Sequence, residues 1–147
     1  MEEGTFRHIG ITSSQRNVIP ELEAYANGKG GIKLDFIQLP YNIEMREAAE
    51  RLLPACNDNG VATMINVPFG SGRIFRQVRD RPLPEHAQRY AGSWAQALLK
   101  FILANEAVTV AIPGTSDPKH ASDNCQAMRG PLPTEDEIKR LIQEVSA

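Results

Sequence analysis

Small polar residues and glycines recur in this chain directly after stretches of apolar residues, in a pattern that suits phosphate binding. They are Thr12 and Ser13 after the first stretch, Gln38 in the second, Asn66, Pro68, Gly70, Ser71 and Gly72 around the end of the third, and Pro113, Gly114, Thr115 and Ser116 after the fourth. Hydroxyl and amide groups donate hydrogen bonds to phosphate oxygens, and glycines let the backbone approach a ligand closely. The pattern therefore predicts a site for a polar ligand that carries phosphate groups.

The segment 114–116 runs directly into a helix signal, Asp117 followed by Pro118. Aspartate is a favoured N-cap residue, and proline suits the first helical turn. A helix N-terminus favours negative charge, so this turn could hold a phosphate through its backbone N–H groups. Serine, threonine and aspartate before a helix are also ordinary caps, and the spacing alone leaves both interpretations open.

Known catalytic and metal-binding patterns are absent from the sequence. There is no GxSxG, P-loop, HExxH or GxGxxG motif. Cys56 and Cys125 lack the spacing of a zinc site, and we interpret both as reduced thiols of an intracellular protein. His8 is expected to pack within a strand, and His86 is expected to lie solvated in a loop. We therefore assign no catalytic residue and no metal site.

Four short apolar segments rich in β-branched residues predict buried strands. They span residues 7–12, 34–39, 61–67 and 108–112. A helix is predicted after each strand. The second helix is expected to begin near Met45, and its apolar residues recur on one side through Leu53. Pro54 should kink or tighten its end, and Asn59-Gly60 should close it.

Capping signals mark two further helices. Ser93 and Gln96 form a capping box for the third helix, and Thr134 with Glu137 does the same for a final helix at the C-terminus. The connection 68–92 is long, polar and rich in proline and glycine. A connection of this length is expected to carry function or to contain short helical turns.

The order of elements is a strand and a helix, four times over, with an extra C-terminal helix, and it predicts an α/β fold. Strands joined by helices are expected to run parallel through right-handed crossovers. Four such units are half of a complete (β/α)₈ barrel, which typically takes about 250 residues. An open four-stranded sheet is the other arrangement that this order allows. Residues 1–147 are expected to form one domain.

Composition and charge exclude several classes of partner. The chain has 16 lysines and arginines against 18 acidic residues, a formal net charge of -2. No basic patch argues for nucleic acid, and the arginines between residues 73 and 81 are interpreted as a solvated loop. No apolar run reaches the ~18 residues of a membrane span, and the acidic N-terminus is not a signal peptide. We therefore expect a cytoplasmic protein with no nucleic-acid or membrane partner.

Four stretches of the sequence resemble the last four βα units of the aldo-keto reductases. They read RHIGIT at 7–12, LDFIQLPYN at 34–42, NVPFGSGRIF at 66–75 and IPGTSDPKHASDN at 112–124. Their order and spacing are similar to that family over nearly the whole chain, from about Gly4 to the C-terminal helix. The resemblance implies a TIM (β/α)₈ barrel, of which this chain would be half, and the reduction of aldehydes and ketones with NADPH.

The resemblance also implies which residues hold the dinucleotide. Thr12, Ser13 and Gln38 would hold the nicotinamide carboxamide. The segment 68–73, with Pro68, Gly70, Ser71, Gly72 and Arg73, would cover the pyrophosphate. Gly114, Thr115, Ser116 and His120, with Pro113 beside them, would lie near the adenosine ribose and its 2′-phosphate. Asp123 and Asn124 would hydrogen-bond the adenine.

Three features depart from the family pattern. The catalytic tyrosine, lysine, aspartate and histidine of the family belong to its first four βα units, so none is carried over to this chain. Asn66 stands where many members have an aromatic residue that stacks on the nicotinamide. His120 stands where NADPH-specific members often have arginine, so the resemblance implies NADP(H) with NAD as the alternative.

Three functional hypotheses are open at this point. The first is a truncated or split oxidoreductase, an NADP(H)-binding half that is inactive alone because carbonyl reduction needs a proton donor. The second is a non-catalytic half-barrel module that self-associates or pairs with a separate N-terminal half, since half a barrel leaves sheet edges and an apolar face uncovered. The third is a fragment with no function of its own.

Overall fold

The chain folds around a parallel sheet in a computed structural model that describes Gly4 and residues 6–147. The strands are β1 (Gly10–Thr12), β2 (Phe36–Pro40), β3 (Ala62–Asn66) and β4 (Val110–Ala111). They lie in the order β1-β2-β3-β4, and each neighbouring pair is parallel. The predicted α/β fold with four parallel strands is therefore confirmed.

Helices connect the strands and follow the last one. They are α1 (Ile19–Ala26), α2 (Leu52–Asp58), α3 (Arg73–Val78), α4 (Glu85–Gln88), α5 (Trp94–Leu103), α6 (Pro118–Gln126) and α7 (Glu135–Ser146). Helices α1, α2 and α5 contact β2, β3 and β4 respectively, while α7 packs against α3 and α4. In the part of the chain that the structure describes, no helix is long and apolar enough to cross a membrane.

Strand β1 begins at Gly10, three residues later than predicted, and the backbone N–H of Ile9 just before it bonds a side chain instead of the backbone of the neighbouring strand. The Asp35 carboxylate accepts a hydrogen bond from the backbone N–H of Ile9 at 2.8 Å. This bond is the main reason that the pKa of Asp35 is lowered. His8 lies exposed before the strand, with its Nδ1 3.6 Å from the same carboxylate. The expectation that His8 packs within a strand is therefore wrong.

The second predicted helix begins later than expected. It is predicted to begin near Met45, but that segment contains a 3₁₀ turn at Glu47–Ala49, and α2 begins only at Leu52. It ends at Asp58 with Asn59 as its C-cap, as the Asn59-Gly60 signal predicts. Pro54 lies in the first turn of α2, where its missing N–H removes no intrahelical hydrogen bond. Proline therefore marks the start of this helix and not its end. Ala48 and Leu52 are both fully buried, so the apolar pattern still identifies the buried side.

The connection 68–92 contains α3 and α4, which confirms the expectation of short helical turns within it. Helix α4 packs against α7, and the Nε2 atom of His86 is buried without a hydrogen-bond partner among the described residues. His86 is therefore half-buried, and not fully solvated as expected. Arg81 donates to the carboxylate of Glu144 on α7 at 2.7 Å, so the arginine-rich segment is only partly solvated.

The helices cover one face of the sheet, and the other face is partly open. Ile37, Leu39 and Ile65 face the helices and are fully buried. The opposite side, which we call the inner face, carries Gly10, Thr12, Phe36, Gln38, Pro40, Ala62, Met64, Asn66, Val110 and Ile112. Val110 and Ile112 are each 39% exposed. The ring of Phe36 lies directly over Gly10, where an added Cβ would come within 2.4 Å of it.

A lysine inside the core fixes the turn that follows α6. Lys100 on α5 is 1% exposed. Its ammonium group donates to the backbone oxygen of Arg129 and, at 2.9 Å, to that of Pro131. Burial lowers the pKa of Lys100. The two carbonyl oxygens offset part of the desolvation cost, so this buried cation joins α5 to the end of α6.

Helix α7 begins with the capping box that the sequence predicts. The Oγ1 of Thr134 accepts from the backbone N–H of Glu137, and the carboxylate of Glu137 accepts from the backbone N–H of Thr134 at 2.7 Å. The same carboxylate accepts two bonds from the Arg89 guanidinium, at 2.6 and 2.8 Å. The bond from Arg89, and then those from Thr134, lower the pKa of Glu137 to about 2.

The Glu137→Gln variant should lose a pH-dependent part of the stability. Because the pKa of Glu137 is about 2 in the folded chain against an ordinary value of 4.5, ionisation of this carboxyl stabilises the fold. The contribution is complete well above the ordinary value and is lost as the pH falls toward the folded value. In urea unfolding at neutral pH we expect the variant to be about 1 kcal/mol less stable, a magnitude reduced by solvent screening.

The Glu135→Gln variant is the matched control. It removes a carboxylate from the same helical turn without removing the bonds to Arg89. Its stability should follow the pH profile of the wild type, whereas the difference between wild type and Glu137→Gln should shrink toward about pH 3. A difference that stays constant with pH would contradict the assigned role of this carboxylate.

Candidate functional site

Three neighbouring strands end in polar groups that lie together. Thr12 and Gln38 are register partners on β1 and β2, and the alternation of β3 places Asn66 on the same inner face. The Nδ2 of Asn66 donates to the backbone oxygen of Ser13 at 2.8 Å, and the N–H of Ser13 donates to the backbone oxygen of Gln38 at 3.0 Å. We call these four residues the strand-end cluster. It contains three predicted site residues, and Asn66 joins them.

The chain leaves this cluster through a strained loop. Val67 has a φ of +43°, a left-handed conformation that is unfavourable for a β-branched residue. Asn42 is fully buried, and its Nδ2 donates to the backbone oxygen of Val67 at 2.8 Å. The Oδ1 of Asn42 accepts from the N–H groups of Glu44 and Met45 at 2.9 and 3.0 Å. Asn42 thus joins the loop after β2 to the loop after β3.

The loop then turns tightly over residues 70–72. Gly70, Ser71 and Gly72 have φ angles of +57°, +55° and +81°. The N–H groups of Gly70 and Gly72 donate to the backbone oxygens of Val67 and Phe69, both at 3.0 Å. Because these two amides are already used within the turn, the glycines offer a ligand close approach to the backbone and not two unused donors.

Arg73, predicted to lie over a pyrophosphate, pairs with Glu44 in this structure. Its Nη2 and Nε donate to the carboxylate of Glu44 at 2.7 and 3.1 Å, and Gln77 donates to the other carboxylate oxygen at 2.8 Å. Burial would raise the pKa of Glu44, but the bonds from Arg73 and Gln77 outweigh it and lower that pKa. The pair fastens the start of α3 to the loop after β2.

A cleft of about 470 Å³ opens beside this loop. It is lined by Phe69, Phe75, Ser93, Trp94, Ala95, Gly114, Thr115, His120, Asp123 and Asn124. Five predicted site residues therefore lie together, and they come from the last strand end and from α6. The cleft volume lies within the range of small-molecule sites.

The aromatic residues of the cleft were not among the predicted site residues. Phe69 and Phe75 contact each other with ring centroids 4.7 Å apart. Trp94 is held at the start of α5 because its Nε1 donates to the backbone oxygen of Arg81 at 2.9 Å. The sequence signal for them is the long loop that contains two of these aromatics and leads to the third. Fixed aromatic rings next to polar side chains suit a flat, polar ligand such as a nucleobase.

The carboxylate of Asp123 also holds two helices together. One of its oxygens accepts from the Oγ of Ser93 at 2.6 Å, and the other accepts from the Nε2 of Gln96 at 2.5 Å. The Oγ of Ser93 caps α5 by accepting from the N–H of Gln96, as the sequence predicts. Asp123 therefore joins α5 to α6, while Asn124 is buried next to it in the wall of the cleft.

The N-terminus of α6 brings some of the predicted residues to the cleft and leaves others outside. Thr115 lines the cleft, and its Oγ1 accepts from the N–H of Asp117 at 3.2 Å. The exposed ring of His120 also lines it, with its Nε2 4.0 Å from the Asp117 carboxylate. Ser116 is exposed and does not line the cleft, and Pro113 lines a separate cavity of about 360 Å³ between β4, α5 and α6.

The sequence as a whole also matches a model of a known protein family. The model of the aldo/keto reductase family matches residues 1–144. The chain belongs to this family. The resemblance of the four strand-end stretches to aldo-keto reductases is therefore confirmed.

Individual curated proteins match this chain over part of their length. The chain is 30% identical over 77 residues to an aldo-keto reductase of Fusarium vanettenii. The aligned region covers 52% of this chain and 21% of that protein. It is 27% identical over 126 residues to an uncharacterised oxidoreductase of Schizosaccharomyces pombe. That aligned region covers 86% of this chain and 38% of that protein. The chain thus spans less than half the length of both relatives.

Two solved aldo-keto reductases share the fold. A thermostable aldo-keto reductase in complex with the inhibitor epalrestat has a TM-score of 0.70 and 26% identity, covering 97% of this chain and 50% of that one. The holo form of an aldo-keto reductase from Bacillus halodurans has a TM-score of 0.67 and 24% identity, covering 98% of this chain and 51% of that one. The four strands of this chain therefore correspond to half of the aldo-keto reductase barrel, as predicted.

The strand-end cluster and the cleft are two separate groups of polar and aromatic residues. The family binds nicotinamide dinucleotides, which are long molecules with a base at each end. The strand-end cluster is polar and small, and the cleft is lined by aromatic rings. The loop at residues 67–73 leads from one to the other, so its conformation matters to both.

The Asn42→Ala variant should destabilise the chain because it removes three hydrogen bonds at once. The N–H of Glu44 would lose its partner, whereas the backbone oxygen of Val67 keeps the bond from the Gly70 N–H and the N–H of Met45 keeps its bond to the backbone oxygen of residue 42. Leaving one partly buried backbone group without a partner costs about 1–3 kcal/mol. We expect a loss of about 1–3 kcal/mol in the free energy of unfolding, measured with urea.

The Asn57→Ala variant is the control for this substitution. Asn57 is exposed on α2, and alanine is a better helix former, so its stability should change by less than about 0.5 kcal/mol. If Asn42→Ala changed stability as little as Asn57→Ala does, the strained loop would not depend on the Asn42 amide.

Proposed function

We propose that this chain is the part of an aldo-keto reductase that holds the nicotinamide dinucleotide, and that it reduces no carbonyl without residues from outside these four βα units. The observation that carries the proposal is the cleft, where five of the residues assigned to the adenosine end lie against three aromatic rings. A loop that begins at the strand-end cluster forms part of its wall.

The adenosine end of the dinucleotide fits the residues of the cleft. Phe69, Phe75 and Trp94 offer flat apolar surfaces for the adenine, and the amide of Asn124 offers both a donor and an acceptor. Asp123 contributes mainly by fixing the wall, because both of its oxygens already accept bonds. The cleft is large enough for a nucleoside.

The nicotinamide end fits the strand-end cluster. The hydroxyl groups of Thr12 and Ser13 and the amide of Gln38 can bond a carboxamide. The turn at 70–72 would lie over the pyrophosphate, with the hydroxyl of Ser71 as a donor. Arg73 reaches a phosphate only if it leaves Glu44.

A phosphate on the adenosine ribose would lie near the start of α6. Helix N-termini favour negative charge, and Thr115 and His120 line the cleft there, with Lys119 next in sequence. We therefore propose NADP(H) as the preferred cofactor. NAD(H) is the alternative, because the position has no arginine to make a bidentate contact with a phosphate.

We propose that this chain lacks the proton donor that carbonyl reduction requires. The bound dinucleotide supplies a hydride, and the carbonyl oxygen that receives negative charge then needs a proton. Tyr41 is buried and stacks on Phe101 with centroids 5.7 Å apart. Tyr90 is buried, and burial raises its pKa to about 12. Tyr25, the third tyrosine, lies on α1 and packs against the core. None of the three belongs to the strand-end cluster, which supports a donor from another part of the barrel.

Titration of the purified chain with NADPH tests the proposal, followed by cofactor fluorescence with NADH as comparison. We expect saturable binding of NADPH, weaker binding of NADH, and a loss of about tenfold or more in the Asn124→Ala variant. The Asn59→Ala variant is the control, because Asn59 is exposed at the end of α2 and away from the cleft.

Two results would overturn the proposal in different ways. No saturation at millimolar NADPH would mean that the residues of the cleft do not form a dinucleotide site in this chain. Turnover of NADPH with simple aldehydes, abolished by substitution of one of the chain's own tyrosines, would mean that the chain carries its own proton donor. Binding without turnover is the expected outcome.

A second candidate function is supported by the open inner face. Its residues include Phe36, Met64, Val110 and Ile112, and none of its positions carries a charged side chain. A parallel sheet normally buries both faces. The chain would then be a half-barrel module that pairs through this face, with a second copy or with a complementary N-terminal half.

Sedimentation combined with binding of an apolar dye tests this pairing. If a second copy covers the face, the chain should be a dimer that Val110→Lys dissociates, while Ile32→Lys, at an exposed position outside the inner face, should leave it intact. A monomer that binds dye would favour the complementary half as the partner. A compact monomer that binds no dye would contradict pairing altogether.

A further inference from the structure

The side-chain amide of Asn66 makes a hydrogen bond through its nitrogen but none through its oxygen. Asn66 is 8% exposed, and its Nδ2 donates to the backbone oxygen of Ser13 at 2.8 Å. Its Oδ1 is shielded from solvent and has no hydrogen-bond partner among the residues that the structure describes. A buried acceptor without a donor is costly enough that it calls for an explanation.

Rotation of the amide does not remove the problem. Exchanging the oxygen and the nitrogen would place two oxygens against each other at Ser13, because the backbone group there is an acceptor. The strand next to it offers no remedy, since the register partner of Asn66 on β2 is Pro40, which has no N–H. The next residue, Val67, is held by Asn42, so the backbone of Asn66 is fixed as well.

The position of Asn66 places this unused acceptor at the carboxyl ends of the strands. Thr63 and Ile65 face the helices and are fully buried, so the alternation of β3 turns Asn66 to the inner face with Gln38 and Thr12. The neighbouring groups that carry donors, the Gln38 amide and the Thr12 hydroxyl, belong to the same cluster. A ligand held by that cluster would bring a donor close to Oδ1.

We infer that Asn66 recognises the nicotinamide end of the dinucleotide, with Nδ2 holding Ser13 in place and Oδ1 accepting a hydrogen bond from the carboxamide N–H₂ of the ligand. The inference rests on the proposed dinucleotide binding and extends it to Asn66, to which the resemblance assigns no hydrogen bond with the carboxamide. It makes Asn66 a selector for a carboxamide, because a carboxylate or a methyl ketone in that place has no N–H to donate.

Three ligands separate the parts of this inference. NADP⁺ carries the carboxamide, its 3-acetylpyridine analogue carries a methyl ketone in the same place, and 2′-phospho-ADP-ribose carries no nicotinamide. The wild-type chain should bind NADP⁺ about tenfold more tightly than the acetylpyridine analogue, a ratio typical of one buried hydrogen bond. This comparison is made on the wild type by calorimetry and does not depend on any variant.

Variants of Asn66 then assign the preference to this residue. Asn66→Leu has a similar size and no polar group, and it should bind NADP⁺ and the acetylpyridine analogue equally, both weakly. Its affinity for 2′-phospho-ADP-ribose should stay within about twofold of the wild type, because the cleft is untouched. Asn66→Ser, which creates less apolar surface, should give the same pattern, and thermal unfolding of both variants identifies any that do not fold.

Each other outcome has a distinct meaning. If the wild type binds neither NADP⁺ nor 2′-phospho-ADP-ribose, the proposed function fails and the inference fails with it. If the wild type binds both dinucleotides equally well, or if Asn66→Ser weakens all three ligands by the same factor, Asn66 only supports the fold and the inference alone is overturned.

Discussion

The parallel direction of the four strands determines where everything else in this chain can lie. Because each crossover between parallel strands has the same hand, the helices fall on one side of the sheet. Because the strands run the same way, their carboxyl ends meet at one edge, and that edge collects Thr12, Gln38 and Asn66. The same constraint leaves Val110 and Ile112 on an inner face that the helices cannot reach. The gathered site and the uncovered face are thus two consequences of one topology.

Directional bonds, and not apolar packing, fix the functional edge. Apolar burial is nearly indifferent to orientation, so it can hold a sheet together without specifying the path of a loop. The path after β3 is specified by Asn42, which holds Val67 in a left-handed conformation that would cost about 1–2 kcal/mol by itself. Asn66 specifies the neighbouring loop in the same way through Ser13. A loop fixed before ligand arrives loses less conformational entropy on binding, so the strain favours affinity.

Local signals in the sequence predicted more of this chain than long-range ones. The capping box at Thr134 and the N-cap bond of Ser93 were predicted correctly, because the donor and the acceptor lie three residues apart. The reciprocal half of the box predicted at Ser93 does not form, since the side-chain oxygen of Gln96 accepts from the N–H of Gly92. The start of α2 was predicted wrongly because Pro54 is compatible with either the end or the start of a helix, and only the tertiary position of the segment decides. The hydrogen-bond partners of Arg73 and Asp123 could not be predicted, since each lies about 30 residues away along the chain. The residues of the site were therefore predictable by type, whereas their bonds were not.

Binding a dinucleotide and reducing a carbonyl place different demands on a protein. In our proposal, this chain's own residues are sufficient for binding the dinucleotide but not for reducing the carbonyl. Groups that hold the cofactor equally well in the ground state and in the transition state increase its affinity but do not accelerate the chemical step. Rate requires a proton donor whose pKa is close to the working pH. Burial moves Tyr41 and Tyr90 away from that condition, since it raises both pKa values and brings that of Tyr90 to about 12. The groups that would hold the cofactor are carried by consecutive βα units, so in this proposal this half of the barrel would supply the affinity, and the chemistry would need residues that the other half brings across the inner face.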